Sequence, residues 1–275
     1  MFAEQCCNLG IVNTDSNLWL TRRKPAPAAL LRIALYGAAL VAPLAVVAFV
    51  PVAVEQERPG FLELFADNIG LLGFTIVSLQ FVLAAGLKWV EWPFGLDIVL
   101  RFHRRMAVFA SVLLLLHPVL MAVGGETEIL TKLWVKWPVQ LGRFALLVLI
   151  STVVVSLYWR AFRLSFEQWR RFHNALALIL LPLGFLHSLF AGDDLKSLAM
   201  RAIWFALVTT ALVSYTYHRF ARPRIEGAAY TVGAIHQEAH DVWTIVLRRA
   251  DARPVPAYAP GQFHSPDPVS RRPAH

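Results

Sequence analysis

Long apolar runs, each closed by a short polar or charged connection, dominate the chain. Six are long enough to cross the roughly 30 Å hydrocarbon core of a bilayer as helices. They lie near 29–53, 69–87, 103–123, 141–158, 172–191 and 198–218. Pro43 and Pro51 fall in the first and predict a bend or an early stop at its far end. After about residue 222 the pattern changes. YTVGAIHQ alternates loosely, and DVWTIVLRR is rich in Val, Ile and Trp, so strands are predicted within 229–248. Pro260-Gly261 reads as a turn, and the last dozen residues, with three prolines and little to bury, are expected to be disordered. Residues 1–28 show no clear period and are expected to be a disordered or weakly structured extension. Their basic cluster follows a mildly apolar stretch instead of preceding it, so they do not resemble a signal peptide. The predicted class is an all-α membrane protein: a six-helix transmembrane bundle over 29–220, with a short β-containing segment at 221–275.

Composition agrees. Hydrophobic residues make up 57% of the 275 and charged ones 16%, where a soluble domain carries about 25% charge. The net charge of +8 does not point to nucleic acid, because the bases cluster at the ends of apolar segments. On one set of alternate connections lie Arg22, Arg23, Lys24, Lys88, Arg101, Arg104, Arg105, Arg160, Arg163, Arg170, Arg171, Arg219, Arg222 and Arg224. On the other lie only Arg58, Lys132, Lys136, Lys196 and Arg201. By the positive-inside rule both termini are expected in the cytoplasm, in a bacterial inner membrane. The alternation also requires an even number of crossings. Cys6 and Cys7 are adjacent and have no metal-site spacing.

The candidate chemistry sits inside the third and fifth spans. His103 and His117 lie in RFHRRMAVFASVLLLLHPVL; His173 and His187 lie in RRFHNALALILLPLGFLH. Both intervals are fourteen residues. Such a step turns a helix through about 1400°, about 40° short of four turns, and raises it about 21 Å. Each pair therefore faces one way at two depths. The two spans run in the same direction, so His103 matches His173 in depth near the cytoplasm, and His117 matches His187 towards the outer side. Rings about 21 Å apart on one helix cannot share an ion, so pairing must run between helices. An iron that brings its own ring and takes one imidazole on each face meets this requirement: haem. Intramembrane ionisable residues are rare and tend to be functional, and no carboxylate lies within the spans to build a proton relay. Two b-type haems are expected, with His103 and His173 as axial iron ligands of the inner one and His117 and His187 of the outer.

Other residues carry less. Arg143, at the outer edge of the fourth span, is placed either to pair with a propionate of the outer haem or to snorkel to the headgroups. Arg104, Arg105, Arg170 and Arg171 flank the inner pair as topology determinants, within range of inner propionates or a cytosolic flavin partner. Pro118 and Pro182 are expected to bend their helices near the ligands. His218 reads as interfacial, and His236, His240, His264 and His275 are assigned no role. Trp89, Trp92, Trp134, Trp137, Trp159 and Trp169 fall at boundaries, as an aromatic belt does.

Six spans with two histidines on the third and two on the fifth resemble the ferric reductase and NADPH oxidase superfamily. FEQWRRFHNALALILLPLGFLHSLF, with Trp169 and Arg170 ahead of the inner ligand, is similar to the start of that family's fifth helix. The strand-like 229–248 followed by Pro260, Gly261, Gln262 and Phe263 resembles the opening of a ferredoxin-reductase-type flavin domain. The Arg-x-Tyr-Ser/Thr strand and a glycine-rich nucleotide loop, which such a domain needs further on, do not occur here, so the chain is expected to be cut or shifted in frame early in it. The resemblance implies transmembrane electron transfer from a cytosolic flavin reductase domain or protein to an outer acceptor such as ferric iron or dioxygen. It implies FAD and NAD(P)H for complete members, and this chain alone is expected to bind neither. The competing readings are a haem-only membrane subunit feeding a separate redox partner, a quinol-oxidising b-type cytochrome and, without haem, a transporter or channel.

Overall fold

The structure is a computed structural model that describes residues 27–49, 60–192, 194–222 and 230–250. The chain divides into two units, Met1–Arg219 and Phe220–His275. In the first, eight helices follow in order: α1 (Pro27–Phe49), α2 (Phe61–Ala84), α3 (Lys88–Glu91), α4 (Leu96–Gly124), α5 (Glu128–Thr131), α6 (Trp137–Tyr158), α7 (Phe166–Ala191) and α8 (Leu198–Thr216). Six are long and apolar enough to cross a membrane: α1, α2, α4, α6, α7, and α8 with the π-helical turn that extends it to Ala221. These are the six predicted spans.

Their ends differ from the sequence reading for a consistent reason. Helices run on through polar turns that apolar length cannot detect. α2 begins at Phe61 and takes Glu63 into its first turn, where the carboxylate accepts from the Gly60 amide at 3.1 Å. α4 begins at Leu96 with Asp97 bridging to Arg101 at 2.7 Å. α7 begins at Phe166 behind a reciprocal cap: the Gln168 amide donates to the Ser165 hydroxyl, and the Ser165 amide to the Gln168 side chain. Gly95 (φ 87°) and Gly125 (φ 135°) bracket α4 in a backbone region open to glycine. Pro43, Pro118 and Pro182 all lie within continuous helices; the far end of the first predicted span, with Pro51, lies outside the described residues.

α2 is the centre of the bundle. It packs most closely on α4 and also meets α1, α7 and α8, whereas α7 packs most closely on α6. Bilayer interiors provide no hydrophobic drive between helices, so close contact depends on small residues and satisfied polar groups. α2 has both. Gly73 leaves room for Leu114 of α4, and Gly184 of α7 leaves room for Phe74. Thr75 and Ser78 are buried and return their hydroxyls to the Leu71 and Phe74 carbonyls at 2.8 and 3.0 Å. One apolar cluster joins Leu71 and Phe74 of α2 to Leu181 of α7 and to Met200, Trp204 and Ala211 of α8. A second joins Ile76 and Val77 of α2, Ala110 of α4, Ala145 and Leu149 of α6, and Leu180 of α7. Near the start of α1, Arg32 bonds the Trp89 carbonyl and covers the Trp89 ring.

The second unit contains an antiparallel hairpin, β1 (Tyr230–Ala239) and β2 (Val242–Arg249), with Tyr230 opposite Arg249 and Ala239 opposite Val242. It falls where the strands were predicted. The Pro260–Phe263 turn, the carboxy-terminal tail, Cys6 and Cys7 lie outside the described residues.

Trp204 provides a test of the packing. It is fully buried, stacks on Phe74 with centroids 5.6 Å apart, and donates its indole N–H to Ser188 Oγ at 2.7 Å. Trp204→Ala is expected to lower stability by about 3 kcal/mol through the cavity it leaves, and Ser188→Ala by about 1–2 kcal/mol through the orphaned N–H. Reversible unfolding in mixed micelles measures both.

Candidate functional site

The four predicted histidines meet in two pairs. His103 of α4 faces His173 of α7 with ring centroids 6.4 Å apart and planes at 70°. His117 and His187 repeat this at 6.4 Å and 71°. The separation suits one atom placed between the rings. A metal–imidazole bond is about 2 Å and a ring centroid sits ~1.1 Å behind its nitrogen, so two imidazoles on opposite sides of one iron have centroids about 6.3 Å apart. Among the described residues there is no group of three or more His, Cys, Asp or Glu that could hold a metal ion. Two imidazoles alone suit a centre that brings its own equatorial ligands.

The rings are aimed by the helices behind them. His117 Nδ1 lies 2.8 Å from the Ala66 carbonyl on α2, and His187 Nδ1 lies 2.8 Å from the Pro138 carbonyl on α6. A carbonyl only accepts, so Nδ1 carries the proton in both rings and Nε2 keeps its lone pair for a metal. His173 Nδ1 instead meets the Ser156 hydroxyl of α6 at 3.1 Å, and its ring stacks on Trp169 at 5.7 Å and 26°. His103 Nδ1 is buried and makes no hydrogen bond of ordinary geometry, although the Gln80 carbonyl of α2 lies beside the ring.

Other orphaned polar atoms gather at this same end. Trp169 Nε1 is buried without an acceptor, next to His173. Tyr36 OH is unpartnered too, its ring set edge-on to Phe102, the residue before His103. Gln80 Oε1 is unpartnered on α2, fourteen residues beyond Ala66 and so at the level of His103. Buried polar groups are nearly always satisfied. An unused donor beside the paired imidazoles, the Trp169 indole N–H, fits a ligand with carboxylates at its edge, as haem has. The donor set and the separations fit that group.

Arg143 is held by the loop that precedes its helix. Its guanidinium donates to the carbonyls of Leu133 (2.8 Å), Ile129 (2.6 Å) and Lys132 (2.6 Å) and to Gln140 Oε1 (3.0 Å). It closes the end of α5 and borders an open cavity of about 350 Å³ lined also by Pro118, Leu130 and Leu146. Arg170 pairs with Glu167 at 2.8 Å, and Arg104, Arg105 and Arg171 are exposed. His218 Nδ1 lies 3.2 Å from the Ala85 carbonyl. The sequence reading missed Ser156, Ala66, Pro138, Gln80 and Tyr36. Ser156 was visible as a hydroxyl in an apolar span; the backbone acceptors had no signal.

Residues 69–184 match the family model of the ferric reductase like transmembrane component. The match runs from α2 into α7, includes His103, His117 and His173, and stops three residues before His187. An uncharacterized protein of Archaeoglobus fulgidus is 26% identical over 153 residues, covering 52% of this chain and 83% of that protein. The chain carries a ferric reductase-like transmembrane segment and is an integral membrane protein.

Arg143→Gln should free the carbonyls of 129–133. Amide exchange across 126–135 is then expected to rise at least tenfold, as followed by mass spectrometry, with no change in α2 or α8.

Proposed function

We propose that this chain conducts electrons across a membrane through two b-type haems, held by His103 with His173 and by His117 with His187. The observation that carries the reading is the repetition: two imidazole pairs, fourteen residues apart on each helix, with equal separations of 6.4 Å. The match to the ferric reductase like transmembrane component supports it. When bound, a bis-histidine haem supplies a one-electron centre with both axial positions filled.

The residues of the chain do the rest. Ala66 and Pro138 fix the protonated nitrogen of the outer ligands, and the Ser156 oxygen accepts from His173 in the same way when Nε2 is the ligating atom. Such bonds strengthen donation to the metal and favour its oxidised form. Trp169, stacked on His173 with its indole N–H unused, would donate to a carboxylate of the inner group. Between the two levels Ile76, Ala110, Leu149 and Leu180 pack together in one apolar cluster. By the distribution of bases, His103 and His173 face the cytoplasm. Electrons enter there from NAD(P)H through a flavin, in a domain continuous with the hairpin or in a separate protein, and leave past His117 and His187 to an acceptor outside such as ferric iron or dioxygen.

Reduced-minus-oxidised spectra of the purified protein test the reading. His103→Ala or His173→Ala is expected to remove one low-spin haem and leave part of the other, while His117→Ala and His187→Ala remove the second. Full haem content in all four variants would overturn it. Ser156→Ala is expected to raise only the inner midpoint potential by a few tens of millivolts, because a hydrogen bond contributes about 1 kcal/mol and a tenfold shift in a one-electron constant is about 59 mV. Potentiometric titration reads it.

A further inference from the structure

We infer that Gly70 and Gly142 are positioning residues of the outer ligand pair: each leaves out a side chain so that an imidazole can lie directly on the backing helix. The inference rests on the haem reading of that pair. A Cβ added at Gly70 would lie 2.9 Å from His117 Nδ1, 3.2 Å from Cε1 and 3.3 Å from Cγ. One added at Gly142 would lie 2.7 Å from His187 Cε1 and Nδ1, and 3.0 Å from Nε2. In both cases the nearest atoms all belong to the ligand ring, and at Gly142 they include the nitrogen left for a metal.

The carbonyls complete the arrangement. Ala66 precedes Gly70 by four residues, and Pro138 precedes Gly142 by four. Four residues is one helical turn, so on each backing helix the acceptor and the gap share a face. The ring lies over the glycine and donates Nδ1–H to the carbonyl one turn earlier, at 2.8 Å in both cases. FADNIG on α2 and WPVQLG on α6 are otherwise unlike, yet both make this seat. Fourteen residues further along, at the level of the inner pair, the glycines are replaced, although the Gln80 carbonyl still lies beside His103. Ala84 and Ser156 occupy those positions, and His173 meets a hydroxyl instead of a carbonyl.

The same clash elsewhere has a softer neighbour. A Cβ at Gly73 would meet Leu114 Cγ at 2.7 Å, and a leucine can change rotamer. An imidazole pinned by a carbonyl on one side and iron on the other has nowhere to go. A methyl group at 70 or 142 must therefore displace the ligand from the metal or the carbonyl.

The full-length protein, purified in detergent, provides the test, read by haem stoichiometry, low-spin paramagnetic resonance and redox titration. Gly70→Ala and Gly142→Ala are expected to lose or shift the outer signal as His117→Ala does, with the inner signal unchanged. Gly37→Ala, whose added Cβ would meet nothing within 4 Å, is expected to keep both. The double variant Gly70→Ala/His117→Ala should match His117→Ala in yield and Tm, because the atom struck is gone; this comparison decides the matter if Gly70→Ala alone fails to accumulate. Unaltered spectra in both glycine variants, or an additive loss in the double variant, would overturn the inference while leaving two wild-type haems in place. Wild-type protein without haem would overturn the proposed function, and the inference with it.

Discussion

The 6.4 Å between facing imidazoles is set by helices that scarcely touch each other. α4 packs on α2 and α7 packs on α6, and the two histidine-bearing helices make few or no direct contacts. Their spacing is transmitted through the layer where Ile76, Ala110, Leu149 and Leu180 interlock. Ala110 is the midpoint of the interval from His103 to His117, and Leu180 of that from His173 to His187. Each histidine helix is thus clamped at its centre and extends a ligand to either side, half the interval away. Equal geometry at the two ends follows from one central contact.

Such a clamp depends on packing, because lipid offers apolar residues no reason to prefer protein. The small residues Gly73, Ala110, Ala145 and Gly184 bring the backbones close, and the buried hydroxyls of Thr75 and Ser78 return to their own helix. Imprecision of an ångström at this layer would open both imidazole pairs together.

Much of this was readable beforehand. Six apolar runs gave six helices, and the fourteen-residue interval gave both pairings, since the period of a helix converts sequence spacing directly into direction and depth. The helix ends were not readable from hydropathy, because Glu63, Asp97 and Glu167 lie within first turns that apolar length excludes. Main-chain acceptors at Ala66 and Pro138 were hidden for a different reason: a carbonyl is common to every residue, and only the fold selects which one an imidazole meets. Arg143 shows the reverse problem. Its charge was conspicuous, but its length and five donors suit a propionate, the headgroups or the nearby loop alike, and only the fold shows the loop carbonyls that it meets.

The central layer has one more consequence. None of Ile76, Ala110, Leu149 and Leu180 carries a titratable group, so on the proposed reading negative charge crosses this layer uncompensated and each transfer is electrogenic. With the cytoplasm negative, outward passage runs downhill in the membrane field, by about 2.3 kcal/mol per 100 mV for a full crossing. The resting voltage of the cell would then help set the rate, and turnover would itself depolarise the membrane unless cations followed by another route.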